Sequence, residues 1–271
     1  MILLYLIILC ILYYINRKPK HNKMLSQIIR EKAKTLDTPF YNKLVDKYTV
    51  REVVKKRSIL KLPKLYSVFD NENDVDLNSY PNNFVFKCNN GSGMVIIVKD
   101  KKIYGTNDYI TEEYLKQTAK KWLNSEFWKI HNEVQYKNIK NKIIVEELLL
   151  CKNGKIPEDI KMYLFNGKCK LFMMVYDRGI DIKVNYYDSK WNLLNAKVPN
   201  WNTKKTNYKP KNLNSLIIES EKLCKGIDFV RLDVYDVDGV YYFGEFTFTP
   251  MGGNRIVEDD ELEKKWGSWV N

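Results

Sequence analysis

A lysine and a glycine-rich loop lie between two short runs of β-type residues, and this segment constrains the fold more than any other. The first run covers residues 84–88, the loop residues 89–93, and the second run residues 94–98. Glycine lets backbone N–H groups approach anionic oxygens closely, and Lys87 adds a positive point charge. The segment therefore indicates either a phosphate-binding loop or an ordinary β-hairpin with an Asn-Gly turn.

The spacing of this loop excludes two common phosphate motifs. It matches neither Gly-x-x-x-x-Gly-Lys-Ser/Thr nor Gly-x-Gly-x-x-Gly, and no strand-turn-helix pattern follows it. If the loop binds a nucleotide, the rest of the site has to come from residues further along the chain.

Composition narrows the class of protein. The 271 residues, 45% of them hydrophobic, are enough to bury a large core. A formal net charge of +12 implies an anionic partner, but the basic residues are spread along the chain and no nucleic-acid motif is present, so no nucleic-acid partner is expected. The five cysteines show neither disulfide nor zinc-site spacing, which fits a reducing compartment.

The first fifteen residues are apolar or tyrosine at every position except Cys10, and basic residues follow from Arg17 onward. A secretory signal peptide has its positive charge before the apolar run, so we expect a retained membrane anchor, with a buried N-terminal helix as the alternative. A helix of this length reaches about 22 Å, short of the roughly 30 Å hydrocarbon core. The basic flank predicts that the following domain lies in the cytosol.

Periodicity and turn residues predict the order of elements after residue 22. Helices are expected at residues 23–34, 40–57, 111–127, 212–225 and 258–270, a strand at 65–69, a buried strand at 142–150, and hairpins at 159–177, 182–194 and 228–249.

The last predicted hairpin places two carboxylates on neighbouring strands. Alternation puts Arg231 and Asp233 on one face of the first strand, and Glu245 on a polar face of the second. A three-residue turn with a glycine bulge would pair Arg231 with Glu245 and set Asp233 diagonally from Glu245. Two such carboxylates suit Mg²⁺ shared with phosphates, whereas the alternative is a surface Arg-Glu pair.

The order of these features resembles the ATP-grasp fold, and more narrowly the TupA-like ATP-grasp family linked to teichuronopeptide and capsular polysaccharide synthesis. The resemblance runs from about residue 37 to the C-terminus. It rests on the segments Asp46-Lys47-Tyr48-x-Val50-Arg51, Phe86-Lys87-Cys88-Asn89-x-Gly91-Ser92-Gly93, Gln135-Tyr136-Lys137-Asn138-Ile139-Lys140, Val145-Glu146-Glu147, Phe165-Asn166-Gly167-Lys168, Tyr176-Asp177-Arg178 and Gly244-Glu245-x-Thr247-Phe248-Thr249-Pro250.

The resemblance implies an α+β ATP-grasp fold with a mainly helical N-terminal lobe, using ATP and Mg²⁺. It implies a division into an anchor and basic flank at 1–22, an N-terminal lobe at 23–82, a lid and hinge strand at 83–150 and a catalytic, metal-binding part at 151–271. The implied nucleotide contacts are Lys87, Asn89, Gly91, Ser92, Gly93, Glu146, Glu147 and Leu149; the γ-phosphate or acyl-phosphate contacts are Lys161, Arg178 and Arg231; and the metal ligands are Asp233, Glu245 and Thr247.

Two positions depart from the expected family pattern. Asn90 stands where a histidine is expected, and Met251-Gly252 replaces the usual small residues after Thr-Pro, on the predicted acceptor side. The resemblance predicts a ligase that joins a carboxylate, such as one on an acidic glycan, to an amine, and the apolar N-terminal run predicts that it is tethered to a membrane. The alternatives are a glycan kinase and a non-catalytic nucleotide-binding scaffold at the membrane.

Overall fold

The computed structural model describes residues 23–177 and 181–270. Three short helices come first: α1 (Leu25–Ala33), α2 (Pro39–Val45) and α3 (Val50–Arg57). Thr38 caps α2 by accepting a hydrogen bond from the backbone N–H of Tyr41 at 3.4 Å. The single helix expected at 40–57 is wrong, because Asp46 accepts the N–H of Tyr48 at 2.8 Å and turns the chain between α2 and α3.

The first sheet has five strands in the order β1-β5-β2-β3-β4, all antiparallel. Its strands are β1 (Leu65–Phe69), β2 (Phe84–Cys88), β3 (Val95–Lys99), β4 (Lys102–Ile103) and β5 (Ile143–Glu147). Helix α4 (Glu112–Leu123) covers one face, where Leu115 and Ala119 pack against Phe84 and Phe86. Alternation along β2 and β5 therefore sends Lys87 and Glu146 to the opposite face.

The second sheet has six antiparallel strands in the order β11-β10-β6-β7-β8-β9. Its strands are β6 (Asp159–Phe165), β7 (Lys168–Tyr176), β8 (Lys183–Asp188), β9 (Leu193–Leu194), β10 (Phe229–Val237) and β11 (Val240–Thr247). The predicted hairpin about Asn166-Gly167 is confirmed, with both turn residues at positive φ.

Helices cover both faces of the second sheet. One face packs on α6 (Leu213–Leu223) through residues such as Leu216 and Met162. The other packs on α1 and the C-terminal helix α7 (Asp260–Gly267), with Trp266 fully buried against Tyr186. The short helix α5 (Phe127–His131) and 3₁₀ turns at Glu72–Asp74, Leu77–Ser79, Val134–Tyr136 and Pro250–Gly253 complete these elements.

The β10–β11 hairpin differs from its prediction in the turn. Val237 pairs with Val240 across a two-residue Asp238-Gly239 turn, so the expected three-residue turn is wrong. The register shifts further down, at a bulge containing Gly244 between the pairs Val234–Phe243 and Asp233–Glu245. The bulge still brings Asp233 and Glu245 to one face, now directly opposite each other, and Arg231 pairs with Thr247 instead of Glu245.

The predicted combination of helices with antiparallel sheets is confirmed over the described residues. Within these residues no helix has the length and apolar character needed to cross a bilayer. The predicted anchor, residues 1–15, lies outside the described part of the chain and stays a prediction.

Candidate functional site

The face of the first sheet that lies opposite α4 carries a group of charged side chains that form ion pairs. Lys87 Nζ contacts Glu146 Oε1, and Arg51 on α3 approaches Glu146 Oε2 with its Nη1 at 3.3 Å. Arg51 also donates to the carbonyl of Pro63 at 2.6 Å, which fixes the guanidinium beside β5. One carboxylate thus orients two cations on the face predicted to meet a nucleotide.

The loop after β2 is held against helix α5 and the turn after α2. Gly91 has φ of +76°, and a Cβ built there would lie 2.5 Å from the ring of Phe127. Only glycine fits this conformation and this close approach. Asn89 is buried, accepting from the N–H of Lys142 at 2.7 Å and donating to Asp46 Oδ1 at 3.0 Å. Its side chain therefore anchors the loop.

The second sheet presents a dense group of charged side chains across β6, β10 and β11. Arg231 donates from Nε to Asp233 Oδ1 at 2.6 Å and from Nη2 to Asp233 Oδ2 at 2.8 Å. The same Nη2 reaches Thr247 Oγ1 at 2.9 Å and Glu245 Oε1 at 3.3 Å. Lys161, opposite Asp233 on β6, also contacts Asp233 Oδ2. Lys161, Arg231, Asp233, Glu245 and Thr247, to which the family resemblance assigns phosphate and metal contacts, therefore lie together in the structure.

The charge of Asp233 is set by two opposing effects. Burial alone would raise the pKa of this carboxyl, but Arg231 and Lys161 outweigh burial and hold the pKa below its ordinary value. The side chain is only 5% exposed. Asp233 is therefore a buried, permanently ionised carboxylate at neutral pH.

The donor set of this group suits Mg²⁺. Asp233 and Glu245 are direct cross-strand partners, so their Cβ atoms lie about 5 Å apart. Within the ranges 23–177 and 181–270, no three His, Cys, Asp or Glu side chains gather as a complete metal cage. Two carboxylates are what Mg²⁺ uses when phosphates supply its other ligands. Asp233 and Glu245 could hold the ion, with Thr247 hydrogen-bonded to Glu245 Oε1 at 3.1 Å.

Lys47 links the loop on the first sheet to the carboxylates on the second. It donates to the carbonyl of Gly91 at 2.5 Å, and its Nζ lies 3.8 Å from Glu245 Oε2. Its side chain is 14% exposed. Lys47 therefore lies between the glycine loop and one of the two carboxylates that suit Mg²⁺.

The remaining predicted nucleotide residues have different settings. Ser92 and Gly93 are exposed at the tip of the loop, and Leu149 is buried just after β5. Glu147 accepts the N–H of Lys64 at 3.0 Å, so in this structure it supports the strand. Arg178 lies outside the described residues, and its predicted role stays a prediction.

Asn90, the departure from the expected histidine, is 3% exposed. Its amide donates to Asn141 Oδ1 at 2.7 Å, and Asn141 in turn donates to backbone carbonyls at the C-terminal end of α4, those of Leu123 and Ser125. In this structure Asn90 links the phosphate-type loop to the end of the helix that covers the first sheet.

The sequence patterns predict no role for Lys47 and Arg51, although both residues lie in a segment that supports the family resemblance. An uninterrupted helix at 40–57 places them as ordinary surface cations. The available signal was Asp46, because an aspartate in a helical pattern competes with the helix by bonding nearby backbone N–H groups. The helix break it causes directs Lys47 and Arg51 toward the two sheets.

Comparison with known proteins gives two kinds of result. Three solved structures illustrate the similar folds. The ATP-grasp ligase PsnB with its minimal precursor is 11% identical, with TM-score 0.45, over 84% of this chain and 61% of that one. D-alanine–D-alanine ligase from Bacillus anthracis with ATP is 13% identical, with TM-score 0.43, over 76% and 54%. Phosphoribosylamine–glycine ligase from Thermotoga maritima is 11% identical, with TM-score 0.46, over 79% and 49%.

The protein described here spans between about half and about three fifths of the length of each of these three proteins. No curated protein matches the sequence. The family described as TupA-like ATPgrasp matches residues 13–270, nearly the whole chain. The chain therefore belongs to the TupA-like ATP-grasp family.

Proposed function

We propose that this protein is an ATP- and Mg²⁺-dependent ligase that activates a carboxylate as an acyl phosphate and joins it to an amine. One observation carries the proposal: Lys47 contacts both the glycine loop after β2 and Glu245 on β11. In this proposal the glycine loop and the carboxylates are the two halves of a Mg²⁺–nucleotide site, and Lys47 lies between them.

Each group has a defined task in this proposal. Lys87 and Lys47 offer point charges to the phosphates, and backbone N–H groups of the glycine loop approach the same oxygens. When bound, Mg²⁺ neutralises charge on the phosphate oxygens. Lys161 and Arg231, positioned by Asp233, stabilise negative charge on the transferring phosphoryl group. Closure of the loop over the site would exclude water that hydrolyses an acyl phosphate.

Cysteine chemistry has no place in this reaction. Burial raises the pKa of the Cys88, Cys169 and Cys224 thiols, and burial followed by Asp238 raises that of Cys151. A protonated thiol is a poor nucleophile. The four cysteines of the described residues are therefore poor candidates for a covalent nucleophile, and the proposal has the amine attack the activated carboxyl group directly.

The proposal also covers the kind of substrate and the location of the protein in the cell. A net charge of +12 favours an acidic carboxylate substrate, and the family resemblance favours an acidic surface polymer. The apolar residues 1–15 with their basic flank would tether the protein to a membrane, with the catalytic part in the cytosol.

Hydroxylamine trapping distinguishes the proposed ligase from its two alternatives. The full chain in detergent is incubated with ATP, Mg²⁺ and a panel of uronic acids and amino acids, with hydroxylamine present. A ligase releases ADP and yields a hydroxamate, detected by mass. A stable phosphate ester without hydroxamate indicates a kinase, and no substrate-dependent ADP indicates a scaffold.

Lys87→Met is expected to raise the Kd for a non-hydrolysable ATP analogue with Mg²⁺ by about 10- to 100-fold, because a charged hydrogen-bond partner of the phosphates is lost. Glu146 keeps Arg51 as a partner, so the fold is retained. Isothermal titration calorimetry measures the change. Lys120→Met, exposed on α4, is the control and is expected to bind normally. An unchanged Kd in Lys87→Met would remove Lys87 from the site.

Lys47→Met is expected to weaken binding of the same analogue by about 10-fold and to loosen the loop even without nucleotide, since the tie to Gly91 is lost. Hydrogen exchange at the amides of residues 89–94 reports the loosening. Lys43→Met removes an exposed lysine from the neighbouring helix α2 and serves as the matched control. Equal exchange in both variants would contradict the role given to Lys47.

A further inference from the structure

A carboxylate, a hydroxyl and an amide meet just beyond the end of β11. Thr249 donates its hydroxyl to Glu133 Oε1, and Gln135 donates from Nε2 to Thr249 Oγ1 at 2.9 Å and to Glu133 Oε1 at 3.4 Å. Thr249 and Gln135 are buried, whereas Glu133 is half-buried. The group thus joins two buried polar side chains to a half-buried acidic residue.

The hydrogen bond between Thr249 and Glu133 repeats one found at Asp233 and Glu245, the two carboxylates that suit Mg²⁺. Thr247 donates to Glu245 Oε1 at 3.1 Å, and Thr249 holds Glu133 in the same way two residues later. Two residues of chain span at most about 7 Å. Tyr136 is wholly buried and lies close enough to both carboxylates to feel their charge. Burial is the largest cause of its raised pKa, and the negative charges of Glu245 and Glu133 raise the pKa further. Glu133 therefore lies next to the phosphate-handling group.

An unsatisfied polar atom marks the same place as a ligand site. Gln135 is 0% exposed, and its Oε1 has no hydrogen-bond partner among the described residues. A buried amide oxygen without a donor is costly, and native proteins rarely keep one without a bound water or ligand. Nε2 of the same amide bonds Thr249 and Glu133, so a donor placed at Oε1 would lie near the Glu133 carboxylate. An ammonium group carries three donors and no acceptor.

We propose that Glu133 and Gln135, with Thr249 positioning Glu133, bind the amine of the acceptor as its ammonium ion and that Glu133 takes a proton from it. This assignment rests on the proposed ligase function and names the acceptor subsite of that reaction. The chemical class of ligand is a primary amine.

The reaction balances with these residues. The ammonium ion gives one proton to Glu133, and the freed lone pair of nitrogen attacks the acyl-phosphate carbon. The bond from that carbon to the phosphate oxygen breaks, and the electron pair leaves with inorganic phosphate. The nitrogen loses a second proton, so that one proton ends on hydrogen phosphate and one passes from Glu133 to solvent. No redox partner is required.

Two nucleophiles test the assignment in the full chain. Both reactions contain ATP, Mg²⁺ and a carboxylate that supports trapping. Hydroxylamine is neutral near pH 7 and attacks without first losing a proton, whereas ethylamine is an ammonium ion and has to lose one before it attacks. Glu133→Gln is expected to lower ethylamide formation by about 10²-fold. Hydroxamate formation is expected to stay within about twofold, because activation of the carboxylate is untouched. Mass spectrometry quantifies both products.

Companion variants keep the result interpretable. Glu133→Asp is expected to recover part of the ethylamide rate, and Thr249→Val to lose about 10-fold through misplacement of Glu133. Glu126→Gln, on an exposed carboxylate at the start of α5, is the control and is expected to match wild type. Thermal melting shows that each variant is folded.

The outcomes separate this inference from the function on which it rests. A wild-type protein that forms no hydroxamate with any carboxylate overturns the ligase proposal together with the subsite. A wild type that forms both products, with Glu133→Gln losing both equally or neither, overturns the acceptor subsite alone.

Discussion

Asp233→Asn is expected to reduce ATP turnover by about 10³-fold and to lower the free energy of unfolding by about 3–5 kcal/mol. The carboxylate has two separate tasks. It is one of two carboxylates suited to Mg²⁺, and it is the shared partner of Arg231 and Lys161. The amide keeps the shape but removes the nearest anion of two largely buried cations. Arg231 keeps a contact to Glu245 at 3.3 Å and Lys161 one to Asp159 at 3.7 Å, and the loss of the closer ion pairs accounts for the large cost in stability.

Denaturant unfolding and ADP release measure the two effects of Asp233→Asn. Asp238→Asn is the matched control, because Asp238 is exposed at the turn of the same hairpin and asparagine tolerates its positive φ of 53°. The control is expected to keep wild-type turnover. If Asp233→Asn unfolded at the wild-type denaturant concentration, the ion pairs drawn through Asp233 would contribute nothing net.

The same carboxylate predicts an acid-sensitive stability. Its pKa is depressed in the folded protein, so the contribution is fully present above the unfolded-state pKa of about 3.9 and is lost as the pH falls through the folded-state value. Asp233→Asn lacks this titration. Its deficit relative to wild type is therefore expected to shrink at acid pH in unfolding series from about pH 7 to about pH 2.

The residues that sequence patterns could identify share one property: their neighbours along the chain carry the information. Alternation alone sends Lys87 and Glu146 to the face opposite the apolar residues of β2 and β5. It also sets Asp233 and Glu245 apart from the apolar side chains of their strands. Short-range periodicity therefore accounts for the two faces and predicts most of the elements that carry them, whereas the nucleotide roles of Lys87 and Glu146 follow from the family resemblance.

Residues that act through tertiary contacts were less accessible. Glu133 and Thr249 are more than a hundred positions apart in sequence, and nothing in either local pattern predicts their hydrogen bond. Lys47 gains its place only because α2 and α3 pack where the two sheets approach each other. Contacts of this kind depend on how elements assemble, and a single sequence records that assembly only as a family resemblance.

The β10–β11 turn shows a different limit. The polar faces of the strands had to coincide, and a turn length was inferred from that requirement alone. Two solutions meet it, a longer turn or a short turn with a bulge, and they leave the same alternation near the site. The glycine in the second strand distinguishes them, because an isolated strand glycine indicates a bulge or a close backbone approach.

Gly244 is accordingly expected to be intolerant of any side chain. A Cβ at this position would lie 2.9 Å from the carbonyl oxygen of Asp233 and 3.2 Å from the ring of Tyr235. Gly244→Ala has to displace the backbone next to both metal-type carboxylates, and Gly244→Val has to displace it further. We expect ATP turnover to fall by about 10²-fold for alanine and about 10³-fold for valine, with about 1–3 kcal/mol lost from the free energy of unfolding.

The graded pair tests whether the bulge sets the register of the site. Val240→Ala, exposed at the hairpin tip, controls for a general weakening of β11 and is expected to keep wild-type turnover. A Gly244→Ala protein with full turnover would show that Glu245 reaches Asp233 without the bulge. If turnover falls from glycine to alanine to valine at position 244, the pairing of Asp233 with Glu245 depends on the absence of a side chain there. The Mg²⁺–phosphate chemistry proposed for these two carboxylates then depends on it as well.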